Sequence, residues 1–161
     1  MRFLLLAVLA STAVFAQVHG TCAPCHNQHF EDFQTHKHFA KGISCDSCHG
    51  KSDGHVGAGG NALPDKVAAP AEQATLCGTC HTAQGKGFAT SKHGKTIAAR
   101  GKAAACTTCH GTHALRQVSA MINQCNRCHA ELPASCKKDP PTSAKLACAG
   151  CHNPHTLVAK K

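Results

Sequence analysis

Cys22-Ala23-Pro24-Cys25-His26 sets a frame that the chain repeats five more times: Cys45-Asp46-Ser47-Cys48-His49, Cys77-Gly78-Thr79-Cys80-His81, Cys106-Thr107-Thr108-Cys109-His110, Cys125-Asn126-Arg127-Cys128-His129 and Cys148-Ala149-Gly150-Cys151-His152. At this spacing two thiols three residues apart add to the two vinyl groups of one haem, and the next residue reaches the iron. The twelve cysteines of the six frames are therefore thioether positions, and His26, His49, His81, His110, His129 and His152 are proximal iron ligands. One such frame is a modest signal. Six in 161 residues point to six c-type haems. Zinc is the competing occupant of clustered Cys and His, but an invariant histidine after the second cysteine, in a chain that carries an export signal, favours haem.

The export signal lies at the start. Met1-Arg2 precedes the apolar run Phe3-Leu4-Leu5-Leu6-Ala7-Val8-Leu9-Ala10, and small residues lead to Ala16 just before Gln17. A basic start, a short apolar stretch and a small-residue end read as a cleavable secretory signal over residues 1–16. The run is too short to span a bilayer, so a retained anchor is the lesser reading. The expected location is periplasmic or extracellular, where unattached thiols would tend to oxidise. Of 13 cysteines only Cys136 stands outside the frames.

The 145 residues expected after a 16-residue signal leave about 24 for each haem, too few to build an ordinary apolar core around each one. The chain has no Trp or Tyr, so the porphyrins are expected to supply the buried apolar surface and the haem-free chain to be largely disordered. The formal charge of +9 suits the propionates of six haems. No basic patch interleaved with aromatics suggests nucleic acid.

The frames come in pairs. Phe33-Gln34-Thr35-His36-Lys37-His38 lies between the first and second, and Phe88-Ala89-Thr90-Ser91-Lys92-His93 lies at the same offset between the third and fourth. Cys125 to Cys148 repeats the separation of Cys22 and Cys45. The expected organisation is a single hexahaem domain, 17–161, of three dihaem modules at about 22–55, 77–113 and 125–155. The fold is expected to be mostly irregular, with short α-helices at the haem frames, no significant sheet, and a compact chain wrapped around six haems. Residues 50–76, rich in Gly, Ala and Pro, are expected to be loop, with a turn at Asn61-Ala62-Leu63-Pro64-Asp65. Leu115, Val118, Met121 and Ile122 are spaced for a helix running into Cys125, and Asp139-Pro140-Pro141 breaks any helix in module three.

These features resemble the exported multihaem cytochromes c, including the periplasmic decahaem and pentahaem electron carriers of anaerobic respiration and proteins with doubled Cys-x-x-Cys-His frames. The resemblance covers Thr21 to His155. It implies bis-histidine haems in a closely spaced chain that passes electrons. Six haems is the count of neither named carrier, and module three is altered.

Eight of the 14 histidines are not proximal. His38 and His93 are equivalent in the repeat. His29, His113 and His155 each stand three residues after a proximal histidine, and His55 lies in a glycine-rich loop. These six are the candidate distal iron ligands. His19, on an N-terminal arm free to reach a haem of its own chain or a neighbour's, and His36 are spare imidazoles. Met121 and Cys136 are outsiders. Module three holds only His155, because Pro141 occupies the place of His38, so one of its haems must take a ligand from elsewhere.

The expected function is electron relay between redox proteins: a quinol-oxidising or other donor, other cytochromes, and a terminal reductase or outer-membrane conduit. The chain itself is not expected to be an enzyme. Two alternatives keep the haems: a reductase with one open iron, for which acidic groups are scarce, and a self-associating subunit of a conductive filament. No membrane span is expected after signal cleavage.

Overall fold

A computed structural model describes residues 19–129, 131 and 148–159; at Ile122 only the backbone is described. The expected signal at 1–16, Cys136 with Lys137-Lys138, Asp139-Pro140-Pro141 and Lys160-Lys161 lie outside the described residues. Short helices carry the fold: α1 (Asn27–Gln34), α2 (Lys37–Ala40), α3 (Cys45–His49), α4 (Asp53–Gly57), α5 (Gln73–Gly78), α6 (Thr82–Thr90), α7 (Lys92–Arg100), α8 (Cys106–His110) and α9 (Val118–Asn123). Turns of 3-10 helix occupy Pro70–Glu72 and Cys125–Arg127. Among the described residues there is no strand, only an isolated bridge between His152 and Ala159. The helix expected ahead of Cys125 is α9. The 50–76 connector differs from its expected loop: it forms α4, a 3-10 turn and the start of α5.

The Cys-x-x-Cys-His frame itself builds the helices. The proximal histidine N–H donates to the carbonyl of the first cysteine in His26 (3.0 Å), His81 (2.9 Å), His129 (2.9 Å) and His152 (2.8 Å). This i→i−4 bond puts both thiols and the imidazole on one helical turn. In the second and fourth frames the hydroxyl at the second variable position also completes the turn, whereas Thr79 of the third frame donates its hydroxyl to the Leu76 carbonyl (2.8 Å). The N–H of Ser44 donates to Ser47 Oγ (3.4 Å) and that of Ala105 to Thr108 Oγ1 (3.0 Å), satisfying an orphan donor at the starts of α3 and α8. Both helices end at a glycine directly after the proximal histidine, Gly50 (φ 72°) and Gly111 (φ 84°). A side chain there would be strained, and at Gly50 it would also meet the Asp65 carboxylate 2.9 Å away.

The chain gathers into two compact units, Met1–Val67 with His113–Leu115, and Ala68–Thr112 with Arg116–Lys161. In the first, His19 is buried among Phe30, Phe33 and Phe39, with ring centres 5.6, 6.0 and 5.2 Å away. In the second, the buried apolar residues are Phe88, Ile97 and Ala105, with Ala74 and Ala103 against them. Ser91 joins α6 to α7: its hydroxyl donates to the Phe88 carbonyl (2.6 Å) and accepts from Gly94 N–H (3.1 Å) as the N-cap of α7. Gln73 ties α5 to α8, its Oε1 accepting from the backbone (3.0 Å) and hydroxyl (3.1 Å) of Thr107. Leu63, Val67, Val118 and Val158 remain exposed. Among the described residues the polypeptide core is small.

Candidate haem sites

All twelve frame cysteines are described, and none is disulfide-bonded. The two frames of a module converge on their first cysteines. Burial, with the Cys22 thiol beside it, pushes Cys45 up to about 11; burial, with the Cys77 thiol beside it, does the same to Cys106. The two haems of module one, and the two of module two, would thus be anchored at neighbouring sulfurs. Burial also raises Cys109, against the opposing pull of Arg116. The Arg116 guanidinium donates to the carbonyls of Thr107 (2.9 Å) and Thr108 (2.8 Å), holding the two variable residues of that frame in place.

The imidazoles carry the main observation. Two imidazoles bound to opposite faces of one metal have ring centres about 6 Å apart, from two bonds of about 2 Å and about 1 Å from each nitrogen back to its ring centre. In the first unit His26 and His55 stand 6.0 Å apart with planes 20° from parallel, and His49 and His113 stand 6.1 Å apart at 33°. In the second, His93 and His129 stand 6.0 Å apart at 28°, and His110 and His155 stand 6.0 Å apart at 5°. Each pair joins one proximal histidine to one distal candidate. Pairs without a proximal member are closer: His29–His113 and His36–His38 are both 4.5 Å apart. The wider gap is found where an iron is expected, and the residues present fit that group.

Nitrogen chemistry agrees. A metal-binding imidazole commonly gives its second ring N–H to a carbonyl, which fixes the ring and leaves the other nitrogen for the metal. Nδ1 of His49 lies 2.9 Å from the Lys66 carbonyl, that of His55 2.7 Å from Ala62, and that of His152 3.3 Å from Leu157. The connector therefore has a task that its composition did not reveal. Asp65 Oδ2 accepts from Ser52 N–H (2.8 Å), Ser52 Oγ donates to the His49 carbonyl (3.0 Å), and this clamp sets Lys66 against the His49 ring. Burial lowers the pKa of His93, His110 and His113, and the imidazoles of His129, His155 and His29 respectively lower it further. In all three the shift favours the neutral form, which metal binding requires.

The remaining candidates fall differently. His29 lies 6.1 Å from His26 with planes 20° apart, the same spacing as His26 and His55, and its ring is also 4.5 Å from that of His113. His36 caps α2: its Nδ1 accepts from His38 N–H at 3.0 Å. That bond puts its proton on the other nitrogen. His19 is 4 % exposed, and its Nδ1 lies 3.5 Å from Cys45 Sγ. The expectation of a free N-terminal arm is corrected: three phenylalanines bury this ring. His38 stands beside His36 and has further interactions in the fold. Cys136 lies outside the described residues, and Met121 is half-buried on α9.

Pairing crosses the modules. His113 of module two faces His49 of module one, His155 of module three faces His110 of module two, and His93 of module two faces His129 of module three. His93, of a neighbouring module, is the imidazole that stands opposite His129 in place of one at the Pro141 position. Among the described residues no three or more of His, Cys, Asp and Glu converge as a closed zinc site requires. No protein-family model, curated protein or solved structure matches the chain.

Proposed function

We propose that the chain is an exported hexahaem c-type cytochrome that relays electrons between redox proteins. The observation that carries this reading is the spacing of 6.0–6.1 Å between four proximal histidines and four imidazoles from other parts of the sequence. When bound, c-type haem supplies one-electron chemistry at iron, and imidazole on both faces leaves the metal without a place for substrate. The chain's contribution is to anchor, orient and crowd the cofactors. Six frames fix the porphyrin edges, carbonyls of Lys66 and Ala62 fix imidazole rings, and adjacent first cysteines bring two attachment points together. Short edge-to-edge separation favours electron tunnelling, which weakens steeply with distance.

The partners proposed are redox proteins of anaerobic respiration on either side of the relay, in the periplasm or outside the cell. No helix of the described residues is long and apolar enough to cross a membrane. The test is to produce the chain in a host that exports it and attaches c-type haem, then measure haem content and reduction by a low-potential cytochrome donor. Six haems, reduced and reoxidised without substrate turnover, are expected. A colourless product in such a host would overturn the reading.

A further inference from the structure

The second unit contains four proximal histidines, His81, His110, His129 and His152, and two others, His93 and His155. His93 faces His129 and His155 faces His110, so both non-proximal rings of the unit are committed. His81 has interactions of its own in the fold. His152 differs. Its Nδ1 is anchored on the Leu157 carbonyl (3.3 Å), which orients a ligand. Yet no ring of its unit among the described residues stands at ligand-pair spacing from it.

The C-terminal loop explains why the nearest imidazole is lost to it. Asn153 Oδ1 accepts from the backbone N–H of His155 (3.0 Å) and of Thr156 (3.1 Å), Leu157 N–H donates to the Asn153 carbonyl (2.7 Å), and Asn153 N–H donates to the Val158 carbonyl (2.9 Å). Leu157 turns through a left-handed conformation (φ 60°) to close the loop. The result is one rigid turn that holds His152 for its own frame and aims His155 at another. His155 cannot return to the iron beside it without breaking this turn.

We propose that the haem attached at Cys148 and Cys151 would have an exchangeable sixth position open to a small iron ligand such as a diatomic or nitrogen-donor molecule. The inference rests on the haem reading above. Iron with one fixed imidazole and one exchangeable position binds ligands that bis-imidazole iron excludes. A site of this kind, at one member of the relay, would let an external ligand tune or draw on the electrons of the others.

The test is carbon monoxide titration of the dithionite-reduced holo-protein at low concentration, with haem content measured on the same sample. The expected result is one equivalent of carbon monoxide bound at this iron. That equivalent is lost in Cys148→Ala/Cys151→Ala, and His155→Ala gains one by opening the iron over His110. Should the double variant fail to load its other haems, His152→Lys serves instead: it changes the group opposite the bound ligand and is expected to shift the C–O stretching band. Binding that appears only on dilution, as an assembly dissociates, overturns the proposal, because the position is then held by a side chain of a second copy. A six-haem protein that binds no carbon monoxide at any dilution, or whose binding persists unchanged in these variants, overturns the proposal. A protein without haem overturns the underlying reading instead.

Discussion

At the scale of single residues, histidines that look alike in sequence do different work. His36 and Ser91 hold the same place after a module's phenylalanine and both cap a helix, while His93, two residues on, faces His129. We expect His36→Ala to cost about 1 kcal/mol of stability, the usual size of a lost N-cap, and to leave every iron's spin state unchanged. His93→Ala is expected to turn one iron from low to high spin in the electron paramagnetic resonance spectrum. Equal effects from the two variants would contradict the assignment. Beside His93, Gly94 admits no side chain, since a Cβ would lie 2.2 Å from the Phe88 carbonyl oxygen. Gly94→Ala should cost about 3 kcal/mol as an overpacked contact, measured by thermal unfolding, and should loosen ligation of the same haem. The frames and the repeat made the candidate ligands legible. Which of them cap a helix, which are buried against phenylalanine and which face a proximal histidine depends on tertiary placement that no sequence period encodes.

At the scale of elements, the Cys-x-x-Cys-His frame is a helix-forming unit, and in the second and fourth frames its own hydroxyl starts the turn and the next glycine, Gly50 or Gly111, stops it. That much follows from the sequence, because the spacing of frame and glycine is local. The connector over 50–76 was opaque for the opposite reason. Its glycines and prolines signal turns, but its function lies in carbonyls, Ala62 and Lys66, whose placement depends on the Ser52–Asp65 clamp. Asp65→Ala is expected to cost about 2 kcal/mol by leaving the Ser52 donor unsatisfied. Releasing Lys66 from His49 should also shift the midpoint potential of one haem while the haem count stays at six. A change in stability with no change in any potential, by spectroelectrochemical titration, would show that the clamp does not orient His49.

For the whole molecule, the account is one of modules that supply each other's ligands. Composition and the repeat anticipated the short helices and, among the described residues, the lack of a sheet. They did not reveal that His113, His93 and His155 each face a histidine of another module. Such crossing is a tertiary property, and on the proposed haem reading it would let module three lack a histidine at the Pro141 position. Removal of residues 148–161 is therefore expected to do more than delete one haem. Five haems should remain by mass, with the iron over His110 converted to high spin by loss of His155, while the iron over His129 stays low spin because His93 is retained. Independent modules would instead leave all five unchanged. The central claim, that the six frames hold six haems, is tested most directly by the intact mass of the exported protein from a host that attaches c-type haem. The account predicts a mature chain carrying six haems and one free thiol, Cys136. A haem-free chain with thirteen reactive thiols, or one whose thiols are held by zinc, would contradict it.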